Sequence, residues 1–271
     1  MRFTKMHGLG NDFVILSEFD PGMGLALQAL DSLQVQRLCD RHFGIGCDQL
    51  LWIGPARGSG AQARMEIWNP DGSRAQMCGN GIRAVALYLH DYGPSPLRGA
   101  SQMSIETGAG VLALEIRGRQ VRVDMGPPRF RARSPERLVS SVGEWLFWEV
   151  SMGNPHAVIL VPQAQEVPLE LWGPAIENHA RFPERTNVEF VEVISRERLR
   201  VRVWERGTGA TLACGTGACA TAVAAISSGV AQSPVVIELP GGELFLEWNA
   251  SDQSSVWMTG PAVEVFRGEM K

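Results

Sequence analysis

WNPDGSRAQMCGNGIRAVALYLHDYG, residues 68–93, and WERGTGATLACGTGACATAVAAISSG, residues 204–229, align without a gap at an offset of 136 residues. In each copy a tryptophan closes a β-rich run, Cys-Gly-x-Gly follows ten residues later, and an Ala-x-Ala pair opens a helical pattern. The repeat predicts two half-chains that fold as pseudo-symmetric lobes, with Cys78 and Cys214 approaching a shared cleft from opposite sides. Two thiols flanking one carbon suit stereoinversion without a cofactor, because one removes a proton while the other delivers a proton to the opposite face.

Working outward, strand-like alternation with β-branched and aromatic residues marks 12–16, 49–53, 64–68 and 103–107, then a hairpin of 111–116 and 121–125 around Gly118. The second half repeats the style at 145–150, 157–161, 188–194, 199–204, 235–239, 244–248 and 256–258. Helices are expected at 32–41, 79–92, 169–179 and 215–228. The last is small or apolar on every face from Ala218 to Ile226, so it must be buried all round. The economical arrangement wraps the strands of each half about its own central helix, giving an α+β fold of two pseudo-symmetric lobes. The expected division is 1–117 for the lobe carrying Cys78 and 118–262 for the lobe carrying Cys214, with 263–271 returning to complete the first. Pro127-Pro128 and the arginine-rich stretch 129–137 read as a linker.

With 271 residues, 45% apolar and 20% charged residues and a net charge of −4, the chain has the balance of an ordinary globular protein. No basic surplus points to nucleic acid, and no segment reads as a signal core or a membrane span, so a cytoplasmic location is expected. Five cysteines, an odd number, argue for reduced thiols rather than a disulfide scaffold. Cys39, Cys47 and Cys219 read as small buried hydrophobes. No Cys-x-x-Cys pair exists to build a zinc site, so no metal is expected, and no cofactor is expected either.

Cys-Gly-x-Gly before a helix does two physical jobs. Its glycines let backbone approach a ligand closely, and the free N–H groups of the first turn bind an anion such as an amino-acid carboxylate. Gly79-Asn80 and Gly215-Thr216 are the expected donors. The same dipole is expected to lower the pKa of a thiol at the helix start. Polar residues gather near these starts: His7, Asn11 and Asp12 in HGLGNDF, Asn69 and Asp71 in WNPDGS, Asn154 and His156 in SMGNPH, Asn187 in RTNVEF, and Glu205-Arg206 in WER. Neutral amides suit a zwitterionic substrate, and Arg206 suits a carboxylate taken bidentately. Asp71-Gly72 reads equally well as a plain turn, while a structural histidine and a strand-end ion pair are the lesser alternatives for His156 and Glu205.

These motifs, in this order, closely resemble the diaminopimelate epimerase family: FTKMHGLGNDF near the N-terminus, GIGCDQLL at 44–51, NPDGS with MCGNGIR, VDMGPP, SMGNPHAV, RTNVEFV, WERGTG with ACGTGA, and MTGPAV. The resemblance implies a pyridoxal-phosphate-independent epimerase of LL- and meso-2,6-diaminoheptanedioate, serving lysine and peptidoglycan biosynthesis. It implies catalytic roles for Cys78 and Cys214, and tuning of their pKa values by His156 and Glu205. It implies substrate contacts from Asn11, Gln49, Asn69, Gly79, Asn80, Asn154, Asn187, Glu205, Arg206, Gly215 and Thr216. Phe266 stands where some members carry a dimer-contact tyrosine, which implies a homodimer. Two departures are visible: Ala210 replaces a common glutamate, and Ala157 follows the histidine where cysteine is frequent.

Rival readings are a two-cysteine racemase of proline or hydroxyproline, a non-enzymatic amino-acid-binding module, and a redox protein joining Cys78 to Cys214. Arg206 and the four asparagines exceed what a substrate without a distal zwitterion needs, and the missing Cys-x-x-Cys disfavours the redox reading.

Overall fold

The structure is a computed structural model describing residues 1–21, 23, 30–132, 134–250 and 254–270. The chain divides into two compact units, Met1–Val123 with Gly260–Lys271, and Asp124–Thr259.

The first unit contains β1 (Arg2–Gly8), β2 (Asn11–Ser17), α1 (Ser32–Cys39), β3 (Gln49–Gly54), β4 (Ala63–Trp68), β5 (Arg74–Ala75), α2 (Gly79–Tyr92), β6 (Gln102–Thr107), β7 (Gly110–Arg117) and β8 (Gln120–Asp124). Its strands run in the order β1-β2-β3-β4-β6-β7-β8, with the C-terminal strand Val263–Glu269 added antiparallel to β1. The joints β2–β3 and β4–β6 are parallel, and each carries a crossover helix, as parallel pairing requires.

The second unit contains β9 (Arg129–Phe130), β10 (Glu136–Ser140), β11 (Gly143–Ser151), β12 (Pro155–Leu160), α3 (Leu169–Glu177), β13 (Asn187–Ser195), β14 (Arg198–Glu205), β15 (Gly209–Thr211), α4 (Gly215–Ser227), β16 (Val235–Leu239), β17 (Gly242–Glu247) and β18 (Trp257–Pro261). The order β10-β11-β12-β13-β14-β16-β17-β18 repeats the first unit's plan, with β12–β13 and β14–β16 as the parallel joints. Short β15 lies on β14 as β5 lies on β4. The place that β10 fills here is taken in the first unit by the C-terminal strand, β19 (Val263–Glu269).

Each central helix packs against strands from both limbs of its sheet: α2 against β1, β2, β3 and β7, and α4 against β11, β12, β13, β16 and β17. The sequence permits this because α2 is buried from Gly79 to Leu89 and α4 presents only small side chains over most of its length. β2 and β3 are buried on both faces, since one face meets α2 while Val14, Leu16, Leu50 and Trp52 pack with Val35 and Leu38 of α1. Under α3, Phe147, Ile159, Val188 and Phe190 form the corresponding outer core with Leu169 and Ile176.

Several boundaries differ from the sequence reading. The first division falls after Val123 rather than 117, because the β7–β8 ladder from Leu114–Val123 to Arg117–Gln120 keeps both strands in one sheet. The chain re-enters the first unit at Gly260 rather than 263. Helix α1 stops at Cys39, not 41, because the Asp40 carboxylate takes the N–H groups of His42 and Phe43 and turns the chain out. Helix α3 ends at Glu177, where Asn178 caps it through Pro174 O. The expected linker 129–137, whose Arg133 lies outside the described residues, contributes β9 and the start of β10. Strand β1 escaped the alternation rule because two of its buried positions are Thr4 and Lys5.

Candidate active site

Cys78 and Cys214 hold the same structural position, each the N-cap of its unit's central helix in extended backbone. The Cys78 Sγ accepts the N–H of Gly81 at 3.2 Å, and the Cys214 Sγ accepts that of Gly217 at 3.4 Å. Each sulfur thus faces helix-start donors, which favour negative charge.

Around Cys78, the Asn11 Oδ1 lies 3.7 Å from Sγ and accepts from Asn80 Nδ2 at 3.4 Å. Asn11 Nδ2 donates to Asp48 Oδ2 at 3.0 Å. The Asn80 Oδ1 accepts from Arg83 at 2.9 Å, and Arg83 also donates to Gly79 O and Pro261 O. Arg83 is fully buried, so the first turn of α2 is braced by a cation one turn further in. Asp12, at the same strand start, is structural. Burial opposes its charge, but hydrogen bonds from Arg41 and Lys5 and from the Asp48 backbone outweigh that and hold its carboxyl well below the usual range.

Cys214 is buried, and two carboxylates act on it. The thiol lies 3.5 Å from Thr216 Oγ1, which accepts from Asn154 Nδ2 at 3.3 Å; Asn154 Oδ1 meets His156 Nε2 at 3.0 Å, and His156 Nδ1 meets Glu189 Oε1 at 2.7 Å. Burial, then the charges of Glu205 and Glu189, push the Cys214 thiol well above its ordinary pKa, with Thr216 and the Gly217 N–H pulling only partly back. The expectation that the helix start lowers this pKa is therefore corrected: desolvation and two carboxylates outweigh the dipole. Burial also raises the Glu205 carboxyl, which accepts from Thr211 Oγ1 at 2.6 Å.

The remaining residues divide by partner. Gln49 Nε2 donates to Asn69 Oδ1 at 3.1 Å, and its buried Oε1 has no hydrogen-bond partner among the described residues. Asn69 Nδ2 donates to Ser73 Oγ across a turn in which Gly72 has φ +82 and Asp71 accepts from Ser73 N, the turn reading of Asp71-Gly72. Asn187 is spent on backbone, donating to Pro155 O at 2.8 Å and accepting from Arg206 N at 3.0 Å, so it ties two loops together. The exposed Arg206 keeps one guanidinium bond among the described residues, to Glu184 O. His7 accepts from Gly10 N within its own turn. Gly79, Asn80, Gly215 and Thr216 form the first turns of α2 and α4.

Of the departures, Ala157 is buried in the outer core, on the opposite face of β12 from His156, and Ala210 is exposed opposite Trp204. Asp48, Arg83, Glu189 and Thr211 are the neighbours that sequence reasoning left without a role. Arg83 had a signal, as a lone charge inside an apolar run, whereas Glu189 shares its run with Glu192 and does not stand out. Cys39, Cys47 and Cys219 are buried, the first two with sulfurs 3.5 Å apart. Among the described residues no group of three or more His, Cys, Asp or Glu could hold a metal, and no helix is long and apolar enough to cross a membrane.

The fold is shared with solved structures of low identity. The chain is similar to a hydroxyproline epimerase from Agrobacterium vitis at a TM-score of 0.73 and 18% identity, covering 99% of this chain and 90% of that one. It is also similar to a PhzF-family phenazine biosynthesis protein from Bacillus anthracis at 0.72 and 13%, covering 100% and 99%. In sequence it is 43% identical to a diaminopimelate epimerase of Nitrosospira multiformis, over 100% of this chain and 98% of that protein. It is 45% identical to one of Pelotomaculum thermopropionicum, over 99% and 98%. A family model described as diaminopimelate epimerase matches residues 3–131 and 148–265. With both thiols capping equivalent helices and relatives matching from end to end, the chain belongs to the diaminopimelate epimerase family.

Proposed function

We infer that the chain epimerises 2,6-diaminoheptanedioate between its LL and meso forms without pyridoxal phosphate, using Cys78 and Cys214 as an acid–base pair. The observation that carries this is the equivalence of the two sulfurs, each an N-cap on the central helix of a unit with the same strand order. One sulfur, as thiolate, takes the α-proton; the other, as thiol, gives its proton to the opposite face of the carbanion. The sulfurs exchange protonation states, and the reverse reaction restores them. The first-turn N–H groups at Gly79-Asn80 and Gly215-Thr216 hold the α-carboxylate and stabilise charge that grows on it as the proton leaves.

Burial and the neighbouring carboxylates favour the thiol form of Cys214 in the free enzyme, while the face of the α-carbon that carries the proton decides which sulfur is the base for a given epimer. His156 and Glu205 tune these sulfurs. Asn69, Asn187 and Arg206 serve the distal amino and carboxylate groups, with Asn187 acting by holding the Arg206 backbone, while Asn154 bridges His156 and Thr216. The activity is expected in the cytoplasm, as a step toward lysine and peptidoglycan. Self-association is proposed through β19, whose Val263, Val265 and Phe266 are all exposed, Phe266 resting edge-on against Phe3 at 6.0 Å.

The experiment is solvent-deuterium incorporation into LL-diaminopimelate, with proline and hydroxyproline alongside. Deuterated meso product supports the reading; label in proline alone makes the chain a proline racemase, and no label in any substrate makes it a binding module.

A further inference from the structure

We propose that Glu189 is a positioning residue for the second thiol, acting through His156 and Asn154 to set the Thr216 hydroxyl against Cys214. This rests on the two-thiol reading above and extends it to a residue outside the expected site.

The duplication itself isolates the feature. His156 stands opposite Asn187 on the parallel β12–β13 joint, and Phe13 stands opposite Gln49 on the equivalent β2–β3 joint. Two residues beyond these partners come Glu189 and Leu51, so an apolar pair in the first unit, Phe13 and Leu51, becomes an acid–imidazole pair in the second. The central helices give the same answer. A Cβ on Gly81 would lie 3.3 Å from the Leu51 δ-carbons, and one on the matching Gly217 would lie 2.7 Å from Glu189 Oε1. The architecture therefore closes over this floor without charge. The second unit nonetheless buries Glu189 and His156 completely, and Glu189 Oε2 has no hydrogen-bond partner among the described residues. Burying such a pair costs stability, which points to a use.

Hydrogen-bond polarity supplies that use. A carboxylate only accepts, so the proton between Glu189 and His156 sits on Nδ1. On the far side of the ring, Nε2 lies 3.0 Å from the Asn154 side chain. The same amide reaches Thr216, its Nδ2 donating to Oγ1 at 3.3 Å. The Thr216 oxygen accepts there and is left to give its own hydrogen onward, and the Cys214 sulfur lies 3.5 Å away. A donor is thus held ready for the sulfur when it becomes a thiolate. Without the Glu189 carboxylate the ring loses the contact that orients it, and the Asn154 amide loses a fixed partner.

The test uses the full chain with Glu189→Gln, which keeps shape, and His156→Gln, singly and together. The expected result for Glu189→Gln is a kcat lower by roughly ten- to a hundredfold with KM within about threefold, the range seen when a group that orients a ligand is removed. The double variant should be no worse than the poorer single one, because one path is cut once. A far-downfield imidazole N–H resonance should be present in the wild type and absent from Glu189→Gln, a readout that needs no turnover. The pair His156→Phe with Glu189→Leu copies the first unit's floor and should melt no lower than the wild type while losing kcat. Wild-type kcat in Glu189→Gln, additive losses in the double variant, or a markedly lower melting temperature for the apolar pair would overturn the proposal. A wild type inactive on diaminopimelate would instead overturn the activity reading.

Discussion

Asn11 donates its Nδ2 to the Asp48 carboxylate at 3.0 Å, and that bond turns its Oδ1 toward the Cys78 sulfur at 3.7 Å. Asp48 is also held by Arg41 at 2.7 Å, so the amide orientation beside the first thiol is set from outside the site. Asp48→Ala frees the amide and should lower kcat by about tenfold, with a stability change near 1 kcal/mol because the Arg41 pair is largely exposed. Asp48→Asn, which still offers an oxygen to Asn11, should recover most of the rate. Steady-state kinetics with thermal melts checks this; an Asp48→Ala enzyme of wild-type kcat would remove the role.

The second thiol should titrate late. Burial and the Glu205 and Glu189 charges all raise the Cys214 pKa, so the thiol persists as pH rises past the point where an ordinary cysteine ionises. Glu205→Gln removes one of those charges and should move Cys214 ionisation to lower pH. Ultraviolet thiolate absorbance against pH, in a Cys78→Ser background, measures it; an unmoved or upward-moved titration would contradict the electrostatic account.

Asp12 predicts acid lability of the first unit. Its folded pKa is depressed, so the ion pairs with Lys5 and Arg41 contribute stability above the unfolded pKa near 4, and that contribution is lost as pH falls through the folded value. Asp12→Asn should cost about 3 kcal/mol at neutral pH, since it leaves the largely buried Lys5 without its anion. The gap between variant and wild type should narrow below pH 4. Denaturant melts at several pH values test this; a constant gap down to strongly acidic pH would contradict it.

Arg206 predicts selectivity. Its guanidinium bonds to the Glu184 backbone oxygen, and its N–H is held by Asn187. Arg206→Met should cost roughly 2 to 5 kcal/mol in kcat/KM for LL-diaminopimelate, as expected when one partner of a substrate charge pair is removed. Asn187→Ala should follow in the same direction by loosening the loop. Lysine, which lacks the distal carboxylate, should be a very poor substrate of the wild type. Efficient lysine racemisation, or an unchanged kcat/KM in Arg206→Met, would show that the distal end is held elsewhere.

The repeat made both central helices legible, because Cys-Gly-x-Gly followed by small and apolar residues leaves little choice but a buried helix with the cysteine at its start. The bounds of α2 read from sequence, 79–92, are those observed. Less was legible where polar groups are buried: β1 hides Thr4 and Lys5, and α1 stops early on an Asp40 side-chain bond that periodicity does not see. At the site, positions on motifs were readable but partners were not. Asn187 looked like a substrate amide, yet its side chain is engaged by Pro155 and Arg206 backbone. The Cys214 pKa was misjudged because the dipole is a local, sequence-visible effect, whereas Glu189 comes from β13, distant in sequence, and burial is a property of the whole unit.

The central claim is that both sulfurs move protons. The most direct measurement incubates LL-diaminopimelate in deuterium oxide with wild type, Cys78→Ala and Cys214→Ala, and follows meso product and its α-deuterium by mass spectrometry and NMR. The account predicts singly deuterated meso product from the wild type and a loss of epimerisation of roughly a thousandfold or more in each variant, the scale of a lost general acid or base. Meso product formed at the wild-type rate by Cys78→Ala or Cys214→Ala would contradict it.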